Sequence, residues 1–248
     1  MNKSVRLIPL FLIGVALASS LLPSTGRAQT ADSAPRPTNF DSTVPAPAGL
    51  PGKLEIPPNT HMEVKVWSKN PGPPPQPSPE NDKRVLWAPV LLDAVFDRGA
   101  EDLHAVFHWE GNQTSEAFVI HGVAFNLLSF AFPDEIHASE EPVGFHLNRR
   151  SAGKSSFPGI PWYGPSHYVG TALLNGASVL VFAVVPLADP TSFPTGEAVC
   201  LDPQALLPVW SQDGDSIYAF TYTPASEVQI DPQGPYLNAV KARFGHWP

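Results

Sequence analysis

The stretch that decides the fold is YVGTALLNGASVLVFAVVP, Tyr168 to Pro186. Asn175 and Gly176 sit between two runs of apolar and β-branched residues. Both tolerate positive φ, so the pair predicts a two-residue hairpin turn joining strands over 168–174 and 178–185. The second run is apolar at every position from Val179 to Val185. A half-exposed strand alternates, whereas an unbroken apolar run of this length requires burial on both faces. The run therefore belongs at the centre of the core.

The same grammar extends outward in both directions. Val209 and Trp210 connect to 217–222 through an Asp213-Gly214 turn. Upstream, 90–96, 103–109 and 117–125 are apolar-rich runs separated by polar turns at 97–102 and 111–115, which reads as a β-meander. His61 to Ser68 alternates Met62, Val64 and Val66 with Glu63, Lys65 and Trp67, and this period of two predicts another strand. Two segments have helical spacing: 90–97, where Leu91 with Val95 and Leu92 with Phe96 are four apart, and 236–244. The fold class expected is all-β, an antiparallel β-sandwich or flattened barrel with few short helices. No internal repeat is visible, which disfavours a propeller or solenoid.

The chain has 248 residues, of which 30 are proline. Lys3 and Arg6 precede an apolar stretch from Leu7 to Leu17, followed by a polar region ending in Gly26, Arg27 and Ala28. This predicts a signal peptide over 1–28, cleaved after Ala28; its apolar run falls short of the ~20 residues a membrane span needs. Residues 29–58 are proline-rich and predict an extended leader or linker, or else a strap lying on the domain, with a single β-rich domain over 59–248. A second proline run, Pro71 to Pro79, predicts a long loop within that domain. A periplasmic or secreted location follows, with no membrane span after cleavage.

Removal of residues 1–28 takes away Lys3, Arg6 and Arg27 and no acid, so the formal charge of −8 becomes −11. Such a surface repels polyanions and argues against a nucleic-acid partner. Cys200 is the sole cysteine, so no intramolecular disulfide exists; its apolar neighbours Val199 and Leu201 predict a core position. No catalytic signature is present. Ser151 to Ser155 imitates a phosphate-binding loop, but Pro158 and Pro161 deny it the helix that follows one.

Two groups of residues could carry function. The first is His104 and His121. If 103–109 and 117–125 pair through the 111–115 turn, positions summing to about 225 face one another, which sets His104 against His121 as ligands for a divalent metal. His108, four residues along the strand, lies roughly 13 Å away and cannot reach the same ion. The second is the loop from Phe157 to Tyr168, where proline and glycine exclude regular structure. There Trp162, Tyr163, His167 and Tyr168 form an aromatic platform suited to a glycan or an envelope protein. The competing reading folds Trp162 back as a plug in the core. The function expected is thus an exported binding module, with a hydrolase or metal-dependent enzyme using His104 and His121, or a structural envelope component, as alternatives.

Overall fold

The computed structural model describes residues 34–68, 90–129, 132–139, 157, 160, 162–184, 189–214 and 216–246. The predicted signal peptide and the Pro71 to Pro79 loop lie outside them. Among these residues twelve strands form one antiparallel sheet in the order β1-β8-β9-β10-β11-β12-β2-β3-β4-β5-β6-β7, not closed into a barrel. In chain order they are β1 Thr38–Asp41, β2 Thr60–Ser68, β3 Leu91–Arg98, β4 Leu103–Trp109, β5 Gln113–Ile120, β6 Val123–Ser129, β7 Phe132–Ser139, β8 Tyr168–Leu174, β9 Ala177–Ala183, β10 Ala198–Leu201, β11 Pro208–Asp213 and β12 Ser216–Pro224, followed by one helix, α1 Gly234–Phe244. The class is the all-β antiparallel one that the turn spacing predicts.

The β8–β9 hairpin closes as its sequence requires. Leu174 pairs with Ala177, and Asn175 and Gly176 take φ of 51° and 84°. In β9, Leu180 and Phe182 enter the principal core while Val179 and Val181 enter a second core on the opposite face. The principal core runs along one face of the sheet through Met62 and Val64 of β2, Phe96 of β3, Phe107 of β4 and Phe220 of β12. The second core centres on Trp210, Ile217 and Cys200. Cys200 is fully buried, and burial pushes its thiol pKa up, away from reactivity. A third cluster joins Phe118, Ile120 and Phe125 to Tyr236 and Val240 of α1.

Two expectations need correction. Residues 90–97 are strand, not helix: Ala94 and Phe96 point into the core and Asp93, Val95 and Asp97 point away, a parity that only pairing with β2 and β4 selects over the helical spacing. The run 117–125 is two strands. His121 (φ 49°) and Gly122 (φ 79°) form a two-residue turn, and Ile120 pairs with Val123 across it.

The described part of the proline-rich stretch lies against the sheet as a strap. β1 pairs with β8 at the sheet edge, and Leu54 and Ile56 are buried in the principal core. Phe40 stacks edge-on against Phe193, which in turn meets Trp210; the Trp210 indole donates to the Pro35 carbonyl at 2.8 Å. Prolines lack a backbone donor, so a proline-rich segment is tolerated at a sheet edge, where one side of the backbone needs no partner. Gly170 permits the approach: it has φ of 146°, and a Cβ there would lie 2.2 Å from the Asp41 carbonyl oxygen.

Candidate functional site

The aromatic loop is held at both ends. Phe157 and Ile160 are buried in the principal core, and Phe157 meets Phe220 and Tyr222 edge-on. A single 3-10 turn, Pro165–His167, leads into β8. Between these anchors Trp162, Tyr163, His167 and Tyr168 are all half-buried. Tyr163 and Tyr168 flank Phe182 at centroid distances of 5.0 and 5.5 Å, and Trp162 meets His167 edge-on at 5.7 Å. The rings thus fall into two contacting groups at one end of the loop: Phe157 and Ile160 fill the core position, and Trp162 and Tyr163, half-buried, pack against the principal core.

The polar atoms of this cluster are unevenly served. Tyr168 donates its hydroxyl to the Val44 carbonyl at 3.2 Å, tying the loop to the strap. Trp162 Nε1, the Tyr163 hydroxyl and His167 Nδ1 are buried and have no hydrogen-bond partner among the described residues. Burial raises the pKa of the Tyr163 phenol, and burial with the nearby Asp41 carboxylate raises that of Tyr168, so both remain neutral donors at ordinary pH.

The histidines lie elsewhere. The β4–β5 register pairs His104 with Phe118, not His121, because paired positions sum to 222 (Leu103 with Val119) and β5 ends at Ile120. The His104 ring stacks on Phe118 at 4.4 Å, and His121 sits in the β5–β6 turn, its backbone N–H donating to Asp102. Among the described residues no group of three or more His, Cys, Asp or Glu side chains is placed to hold a metal ion.

What the sequence did not reveal is a set of histidine–carboxylate pairs on the sheet face opposite the principal core. His61 Nδ1 is 2.7 Å from Asp97 of β3, and its Nε2 is 3.7 Å from Glu63. His108 pairs through Nδ1 with Asp93, and His104 Nε2 lies 3.7 Å from Glu116. The hydrogen bond to Asp97 raises the His61 pKa, against the opposing effect of burial, and Glu63 adds to the rise.

No protein-family model matches this chain, and no curated protein is similar to it. Its function rests on its own residues.

Proposed function

We propose that the protein is an exported β-rich binding module of the periplasm or extracellular space that takes a glycan on the Trp162–Tyr168 loop. The observation that carries this reading is the trio of Trp162 Nε1, Tyr163 hydroxyl and His167 Nδ1, buried without hydrogen-bond partners among the described residues, beside two half-exposed aromatic rings. Leaving a buried polar group unpaired costs about 1–3 kcal/mol, and sugar hydroxyls supply the missing donors and acceptors while a pyranose face packs on an aromatic ring. Export is supported by the charged, apolar and small-residue pattern of residues 1–28. No helix among the described residues is long and apolar enough to cross a membrane.

The test is a panel of cell-envelope glycans presented to the purified chain and to Trp162→Ala and Trp162→Phe. Loss of the ring should weaken binding by roughly tenfold or more, and loss of the indole N–H alone by a smaller factor. Binding unmoved by either variant would remove the loop from the reading. Capture of an envelope protein in place of any glycan would assign the loop to a protein partner. Release of sugar fragments during incubation would make the protein a hydrolase.

A further inference from the structure

The aromatic loop stands beside the strap, and the strap brings a charge to it. Gly170 of β8 packs against the Asp41 carbonyl and Ser42 so closely that a Cβ has no room. Two residues earlier, Tyr168 donates its hydroxyl to the Val44 carbonyl at 3.2 Å, so the strap is held to this end of the loop at two points. Between those points the exposed Asp41 carboxylate accepts from the Thr43 backbone N–H at 2.9 Å and from the Thr43 hydroxyl at 2.6 Å. Both bonds lower its pKa and hold it ionised. Its field reaches the rings: burial is the larger cause of the raised Tyr168 phenol pKa, and the Asp41 charge adds to it.

The loop itself offers nothing to balance that charge. From Trp162 to Tyr168 the sequence holds no lysine, arginine or carboxylate. Beneath it lie Phe157, Ile160 and Phe182, all in the principal core. An acidic sugar seated on these rings would give up hydration without gaining a counter-charge, and would face the Asp41 carboxylate as a like charge. A cationic amino sugar meets a different obstacle. Its ammonium only donates hydrogen bonds, as does the unpartnered Trp162 indole N–H, so the two cannot satisfy each other. A hydroxyl or an acetamido carbonyl can accept from that N–H without carrying a charge.

We propose that the loop selects an uncharged pyranoside and that Asp41, on the strap, is the residue that excludes acidic glycans. This inference rests on the glycan reading of the loop and names the class of sugar it takes. Asp41 sets specificity through its field, since its carboxylate is engaged by Thr43 within the strap. Such a field fades over about 10 Å at 0.1 M salt, so the discrimination depends on ionic strength.

The experiment is isothermal titration of the full chain at pH 8 with pairs of trisaccharides that differ chiefly in charge. The pairs are glucose against glucuronate, galactose against galacturonate, and N-acetylglucosamine against its 6-sulfate, with a glucosamine trimer as the cationic probe. At low ionic strength the neutral member should bind roughly tenfold more tightly than its acidic partner, and salt at about 0.5 M should narrow the gap. Asp41→Asn keeps an amide oxygen to accept from Thr43. It should narrow the gap about threefold at low salt and leave affinity for the neutral sugar unchanged. An unchanged gap in this variant overturns the role of Asp41. So does an equal loss for both members of a pair, which would make Asp41 a structural part of the strap. An acidic sugar bound as tightly as its neutral partner, or glucosamine bound more tightly than N-acetylglucosamine, overturns the uncharged class while the glycan reading stands. Failure of every one of these sugars to bind removes the glycan reading itself, and this inference with it.

Discussion

β9 and β4 are seven-residue strands of one sheet, and they use their two faces differently. From Val179 to Ala183, β9 is buried at every position, with alternate residues feeding two cores. β4 buries Leu103, Ala105 and Phe107 on one face and shows His104, Val106 and His108 on the other. The first arrangement leaves no position free for anything except packing. The second frees every other residue for charge, and the histidine–carboxylate pairs occupy those positions. Packing is densest around β9, and ionisable side chains gather where only one face is needed for the core.

The largest expected effect breaks the doubly buried side. Phe182 is fully buried and supports Tyr163 and Tyr168. Phe182→Ala should cost about 3–5 kcal/mol, from lost transfer energy and the cavity left behind. The matching change on the open face, Val106→Ala, should cost about 1 kcal/mol or less. Denaturant melts of both variants measure the contrast, and equal costs would erase the distinction between the two strands. Phe182→Ala should also weaken the glycan binding proposed for the aromatic loop, since two of its rings rest on Phe182.

A smaller effect tests the strap that closes the β8 edge. Gly170→Ala places a methyl group against the Asp41 backbone, where nothing flexible can give way, at a φ that other residues avoid. A cost of about 1–3 kcal/mol is expected, confined to one edge. Hydrogen exchange should show protection lost across β1 and retained in β9. Uniform loss would mean that the strap is integral to the doubly buried half and not an addition to it.

The legibility of the molecule follows the same division. The β8–β9 hairpin could be read because Asn175-Gly176 is the residue pair its turn geometry demands, and β9 because an unbroken apolar run has one solution. The β5–β6 turn could not, since histidine at a positive φ is an unusual choice and His121-Gly122 lies inside an apolar run. Missing it left His121 inside a strand, and the register slipped by three because the turn expected over 111–115 lies at 110–112, with Trp109 paired to Gln113. In 90–97 the positions of Leu91, Leu92, Val95 and Phe96 satisfy both a helix and a strand, and only tertiary pairing decides. The strap's prolines argued for an extended chain, correctly, but its docking depends on Phe40, Leu54 and Ile56, which stand isolated in sequence. The aromatic cluster was legible because its four residues are nearly contiguous. The His61–Asp97 and His108–Asp93 pairs join residues 36 and 15 positions apart and emerge only with the register.

The smallest effect sharpens the comparison from the open side. A histidine whose folded pKa is raised contributes stability that is fully present below its unfolded value, near 6.5, and is lost as pH rises through the folded value. His61→Gln should therefore destabilise the protein near pH 5.5 and leave it unchanged near pH 9. The His61 side chain is 37% exposed, so solvent screening limits the loss to about 0.5 kcal/mol. Urea melts at the two pH values resolve the sign. A cost that is the same at both would mean His61 acts through packing, as the residues of β9 do, and that the open face is built for stability after all. A cost confined to the acid side would assign the effect to the charged imidazole held by Asp97 and Glu63.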